Sequence, residues 1–202
     1  MMEQFSKYLD QLQAAIFSTE TDDGVGRLCE CTKEVALYRC ADCSFPRVLC
    51  RTCINTTHSS NPFHHAQKWT GFFFERVPLS ELGRSIKLGH RGKLCSNRLL
   101  GSEGRATKVV HSNGIHEVRI ECCHCILALP EPDQLMQSSL FPATLERPKT
   151  AFTFAVLKQF HVLGLAAKIS AYDFFNTLVN MTDNAFPNKV PVSPSSQHFQ
   201  FT

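Results

Sequence analysis

Eight cysteines and histidines fall in four close pairs: Cys29/Cys31, Cys40/Cys43, Cys50/Cys53 and His58/His64. Thiolate and imidazole are the ligands zinc takes most readily. Two of them on one tight turn reach a tetrahedral ion together, and a second such turn completes four-coordination. Four pairs therefore imply two zinc ions. The closing His–His pair argues for alternating use, with one ion taking Cys29, Cys31, Cys50 and Cys53 and the other Cys40, Cys43, His58 and His64. Sequential use of neighbouring pairs is the alternative that spacing leaves open. His65 could replace His64 or be a solvated neighbour.

A third cluster could form further on, where a hairpin strand runs into Cys122, Cys123, His124 and Cys125, with His90 and Cys95 upstream in small loops. Its expected ligands are His90, Cys95, Cys123 and Cys125. His116 and Cys122 stand in reserve, and either could instead fill the core. The alternating order of the first eight ligands is that of B-box-like cross-braced modules. It fits a RING-type ligase poorly, because the final pairs there are cysteines and the single histidine sits mid-pattern. Disulfides would leave the histidines unexplained, and no apolar signal-peptide run stands at Met1. Ten cysteines with nine histidines thus point to metal in a reducing compartment, nucleus or cytoplasm.

A chain of 202 residues has room for one or two domains, and 43% hydrophobic residues suffice for a core. No run approaches the ~18–20 apolar residues that span a bilayer, so no membrane partner is expected. A formal charge of +3 is too small to demand a polyanion by itself. The charge is local, however: Arg84, Lys87, Arg91, Lys93, Arg98, Arg105 and Lys108 share one stretch with a single acid, Glu103. Such loops can touch phosphates, or be a solvated face.

The elements that must position these groups are partly visible. Phe5, Tyr8, Leu9, Leu12, Ala15 and Ile16 have helical spacing, expected to pack on their own domain, and residues 19–26 read as a linker. Trp69 and Phe72 to Phe74 read as a strand over a small core, and residues 78–83 as a short helical turn. Asn113-Gly114 between two alternating runs predicts an antiparallel hairpin. Phe152, Ala155, Val156, Phe160 and Leu163 mark one helix face ending near Gly164, and Ser170 with Asp173 opens a second helix to about Met181. His161 on this pair reads as a surface or packed residue. The expected fold is α+β, with an N-terminal helix and linker over 1–26 and a zinc-stabilised B-box-like module over 27–68. A hairpin-containing cysteine-cluster region with a C-terminal helical hairpin follows over 69–184, and a disordered tail over 185–202.

Several stretches, kept in one order, resemble a known family. They are L-Y-R-C-A-D-C, N-P-F-H, W-T-G-F-F-F-E, L-G-H-R-G-K-L-C, N-G-I-H-E-V-R-I, F-P-A-T-L-E-R-P-K-T-A-F-T-F-A-V-L, F-H-V-L-G-L-A-A-K-I-S-A-Y-D-F-F and L-V-N-M-T-D-N. From Cys29 to Asn184 the chain is similar to the CxC-type cysteine cluster associated with fungal KDZ (Kyakuja–Dileera–Zisupton) transposases. The resemblance implies a domain preceding a larger transposase whose RNase H-like core holds divalent metal on acidic residues. It carries the cysteine cluster onto Cys40, Cys43, Cys50, Cys53, His58 and His64, and the downstream set onto His90, Cys95, Cys123 and Cys125. Cys122 stands where the family tends to have an aromatic. The tail after Asn184 departs from the family, so a remnant or truncated product is expected.

Two-metal phosphoryl transfer needs several carboxylates converging on paired ions. Asp173 and Asp183 lie on or near one helix with no third acid in register. The expectation is a non-catalytic zinc module that assists DNA recognition, with protein–protein interaction or self-association as the alternative, and no small-molecule substrate.

Overall fold

The computed structural model describes residues 5–20, 23–45, 47–97 and 104–190. It has the expected α+β character and divides into two compact units, Met1–Val77 and Pro78–Thr202. The first unit therefore continues past Trp69, where the sequence had placed the start of the second region. The physical reason is a hairpin: β2 (Ala66–Trp69) pairs with β3 (Phe74–Val77), and β1 (Tyr38–Cys40) pairs with β2 on its other side, all antiparallel. The aromatic run is thus a turn between two strands rather than one strand. Trp69 and Phe74 meet edge to face at 5.1 Å, while Phe72 at the tip is 90% exposed.

Helix α1 (Leu9–Glu20) forms where helical spacing places it, but its apolar side chains are not buried in its own unit, and Glu20 at its end pairs with Arg39 at 3.1 Å. Phe5, Tyr8, Leu9, Leu12, Ile16 and Phe17 are all exposed. Periodicity reports that a face is apolar, not that a groove exists to receive it. Helix α2 (Arg51–Thr57) is short and lies among the metal-ligand candidates. The Cys50 thiol caps it by accepting the Cys53 N–H, and Ile54 at its centre is fully buried.

The second unit is built on a mixed five-stranded sheet of order β4-β6-β5-β8-β7. Its strands are β4 (Ser85–Lys87), β5 (Arg105–His111), β6 (Gly114–Glu121), β7 (Leu140–Pro142) and β8 (Thr150–Thr153). The expected turn at residues 78–83 precedes β4, with the Gly83 N–H bound to the Ser80 carbonyl. The β5–β6 hairpin forms, but its register places Ser112–Asn113 in the turn and pairs His111 with Gly114. Gly114 alone among these residues has positive φ, at 136°. A Cβ there would lie 2.8 Å from the Thr182 hydroxyl, which accepts the Ile115 N–H at 2.7 Å.

Helix α3 (Glu131–Gln137) crosses between β6 and β7. Helix α4 (Phe154–Ala167) starts later than its apolar spacing suggested, because Phe152 belongs to β8 and Thr153 caps the helix by accepting the Val156 N–H. It also runs through Gly164 and stops at Lys168, in the left-handed region. Helix α5 (Ala171–Thr182) opens on Ser170, whose hydroxyl accepts the Asp173 N–H at 3.0 Å. Phe160 of α4 meets Phe174 of α5 at 5.3 Å, and both helices bury apolar residues against Val110, Ile115 and Phe152 of the sheet. Val190, expected in the disordered tail, is buried in this core after a 3-10 turn over Pro187–Lys189. The rest of that expected tail, residues 191–202, lies outside the described residues.

Replacing Gly114 by Ala should destabilise the second unit by about 2–4 kcal/mol, combining backbone strain with loss of the Thr182–Ile115 hydrogen bond. Urea unfolding of the metal-loaded chain, with hydrogen exchange read at the Ile115 amide, measures both effects.

Candidate metal centres

The twelve residues singled out by spacing lie in three groups of four: Cys29, Cys31, Cys50 and Cys53; Cys40, Cys43, His58 and His64; and His90, Cys95, Cys123 and Cys125. Within each group every donor atom is within 4.8 Å of every other. In the first unit the pairs that converge are alternate ones, so the two groups interlock.

The distances are those of shared ligation rather than of disulfides. Cys31 and Cys50 Sγ are 3.6 Å apart, and Cys95 Sγ is 3.7 Å from both Cys123 and Cys125 Sγ. A disulfide needs about 2.05 Å, whereas four ligands at ~2.3 Å from one tetrahedral ion hold their sulfurs ~3.8 Å apart. Sulfur-to-imidazole separations are correspondingly shorter: Cys43 Sγ to His58 Nε2 is 3.4 Å, Cys40 Sγ to His64 Nδ1 is 3.5 Å, and Cys125 Sγ to His90 Nε2 is 3.4 Å. Each group could hold one metal ion in a closed four-ligand shell.

Local structure explains how the ligands arrive. Cys29 sits in a small turn in which its N–H binds the Glu34 carbonyl and its carbonyl receives the Thr32 N–H. Cys50 and Cys53 open α2, while His58 closes it, so one helix serves both groups of the first unit. His58 Nδ1 contacts the Ile54 carbonyl at 2.8 Å; donating its proton there leaves the Nε2 lone pair facing Cys43. His65 takes no ligand position. Asp42 receives its backbone N–H and faces its Nδ1, which holds the turn that carries His64.

In the second unit His90 and Cys95 lie on a loop after β4, and Cys123 and Cys125 follow β6. The loop is conformationally costly: Gly89, His90, Arg91 and Gly92 all have positive φ, at 72°, 45°, 53° and 80°. Such strain persists where surrounding contacts over-determine it, and ligation by His90 would do so. Gly89 is also required by space, since a Cβ there would sit 2.9 Å from Cys123 Cβ. Gln134, buried on α3, accepts the Cys123 N–H at 2.8 Å and donates to the Cys123 and Leu129 carbonyls. Sequence reasoning passed over Gln134. Its only signal was a polar residue on the inner face of a short helix. The reserves stay outside the group: His116 Nε2 faces Asn113 Oδ1 at 2.8 Å, and Cys122 is a half-buried thiol whose pKa burial raises.

Two thiols, Cys29 in the first group and Cys95 in the third, ionise more readily than usual, while Cys40, Cys53 and Cys125 are held back. Backbone N–H groups of Cys31 and Cys50 bring Cys29 down to about 7, and that of His124 brings Cys95 down to about 6. Burial drives Cys40 up to about 12; hydrogen bonds shared with neighbouring thiols drive Cys53 to about 12 and Cys125 to about 11. Four thiolates at this spacing cannot coexist without a cation. Burial also lowers the His64 pKa, which favours the neutral imidazole a metal needs.

The seven expected nucleic-acid contacts are not equivalent. Arg105 forms a two-pronged ion pair with Glu131, one prong at 3.1 Å, and binds the Pro148 carbonyl, so it braces α3 against β5. Arg84 is half-buried, and burial lowers its pKa. Lys87 and Lys108 are half-buried on strands, where their registers set them opposite Glu121 and Glu117. Arg91 and Lys93 are exposed on the His90–Cys95 loop, and Arg98 lies outside the described residues.

Two outcomes follow for the clusters. Cys43→Ala and His58→Ala should each cost the same bound metal, Cys29→Ala a different one and Cys123→Ala a third. Cobalt substitution checks this, because shells of two, four and three thiolates differ in absorption. Metal uptake by the apo protein at pH 7 should release protons, above all those of Cys40, Cys53 and Cys125, so affinity should fall as pH falls. Titration calorimetry in buffers of different ionisation enthalpy counts them.

No curated protein and no solved structure matches the chain. Among the described residues no helix is long and apolar enough to cross a membrane. The family of CxC2-like cysteine clusters associated with KDZ transposases matches residues 79–186, a span that takes in all four ligands of the third group. That span exceeds half of the 202 residues, and the chain belongs to this family.

Proposed function

We propose that this chain is a non-catalytic module that binds three zinc ions and carries part of a KDZ-type transposase's contact with DNA. The observation that supports it best is the third group, which lies inside the family match and bears Arg91 and Lys93 exposed on its strained loop. Zinc is the ion of choice because of the make-up of the shells. One has four cysteines, one has two cysteines with two histidines, and one has three cysteines with a histidine, the sets that structural zinc takes. Four protein ligands leave no open position for a substrate or an activated water. These shells also contain no carboxylate of the kind that phosphoryl-transfer metals use. The second unit adds Lys108 and Lys149, which line an open depression of about 200 Å³ with Glu117 and Thr150.

A second reading, docking of a protein partner, draws on the exposed apolar residues in and before α1 and on Phe72 and Phe73. Large exposed apolar patches mark such surfaces.

Elemental analysis should find three zinc ions per chain. Duplex DNA should bind weakly, with affinity falling steeply as salt rises, and reversing the charge of Arg91 and Lys93 should flatten the log–log salt slope by about 1.8, at about 0.9 per phosphate. Neither magnesium nor manganese should elicit nicking or joining of that DNA. Nicking would overturn the non-catalytic reading, and absence of DNA binding at physiological salt would favour the protein-docking one.

A further inference from the structure

Between Cys125 and Ala128 the chain makes a tight turn, closed by the Ala128 N–H on the Cys125 carbonyl at 2.9 Å. Its two tip residues are Ile126, 99% exposed, and Leu127, 94% exposed. Turn tips ordinarily carry Gly, Asn, Asp, Ser or Pro, each for a backbone reason. Two large aliphatic side chains there gain nothing from folding. The turn is also held rigidly: Cys125 belongs to the third metal group, and Gln134 fixes the Cys123 backbone and the Leu129 carbonyl on either side of it. Leu94, 51% exposed, directly precedes Cys95 of the same group, and Arg91 and Lys93 come before it on the His90 loop.

We propose that this turn is a DNA wedge, in which Ile126 and Leu127 enter a base step of a duplex while Arg91 and Lys93 hold the flanking phosphates. The proposal rests on the DNA reading above and specifies what that contact does. All five residues lie within two positions of ligands whose donor atoms are within 4.8 Å of one another, so one metal-braced knuckle carries both the apolar tip and the cations. Neither cation is in an ion pair among the described residues, and two acids on neighbouring elements are engaged elsewhere: Glu131 by Arg105 and Glu121 by the Ser85 hydroxyl. Aliphatic wedges flanked by basic residues unstack duplex steps and kink them, at a cost of a few kcal/mol per step that added contacts offset. A single strand would call instead for aromatic platforms, and this tip has none. Nor does the tip suit a stable protein partner. Three aliphatic side chains offer on the order of 300 Å², against about 800 Å² per partner in a standard interface.

The test uses the full zinc-loaded chain and a duplex carrying 2-aminopurine at a TA step, with fluorescence intensity reporting unstacking and anisotropy reporting binding. The wild-type protein should raise the 2-aminopurine signal several-fold at saturation. The double variant Ile126→Ser/Leu127→Ser should retain three zinc ions and the same salt slope, yet lose the fluorescence rise and bind about tenfold more weakly. Salt-dependent binding with a silent 2-aminopurine at saturation overturns the wedge while leaving the DNA reading intact; no binding at all removes both. A wild-type oligomer that the double variant dissociates, seen by sedimentation, would make the turn a self-association surface and would also overturn the wedge.

Discussion

Mutual repulsion among clustered thiolates is the constraint on which this architecture depends. Among the described residues the buried side chains of the first unit are Cys29, Cys40, Cys50 and His58, with Ala36, Val48, Leu49, Ile54 and Ala66 as their apolar company. That is too little apolar surface to offset the entropy of ordering some fifty residues by itself. What closes this interior is two groups of candidate ligands, and thiols that cannot all ionise without a cation would make folding and metal binding one event. Were the ion zinc, as proposed, its binding would be worth about 10–16 kcal/mol, as much as or more than the whole net stability of a typical domain.

The second unit stands on different terms. Val110, Ile115, Phe152, Val156, Phe174, Leu178, Val179 and Val190 form a conventional apolar core between the sheet and the two C-terminal helices. Its candidate metal group lies on loops after β4 and β6, tied to the fold by Gln134 and by the close passage of Gly89 past Cys123. Removing an ion bound there would free loops on a sheet that has its own apolar core. In the first unit it would empty the interior.

The three groups of four could be read from spacing because candidate metal ligands come in local pairs. Two thiols a few residues apart on a turn are already half a site, and pair spacing survives any arrangement of the rest. Asn113-Gly114 announced a hairpin for the same reason, although the register slipped by one because Thr182, far along the chain, claims the Ile115 N–H. What stayed hidden depends on distant partners. Phe152 continued a helical spacing, yet β5 and β7 draw it into a strand. Arg105 looked like one more free cation until α3 brought Glu131 to it. Val190 sat in a proline-rich, structureless-looking segment and is nonetheless core. The faces of α1 showed the converse: a periodic apolar stripe that finds no groove in its own unit.

Helix α2 spans just seven residues and is needed at both ends, supplying Cys53 to one group of ligands and leading into His58 of the other. An ion in either group would fix the helix axis, the Ile54 carbonyl and with them the approach of the other group's candidate ligands. A first ion bound would thus supply part of the ordering the second needs, giving positive cooperativity through a helix of seven residues. Half-loaded protein would then be the scarce species. Under metal scarcity a population of such chains would sort into filled and empty molecules rather than share ions evenly, giving a threshold response to free metal where two independent sites would give a graded one.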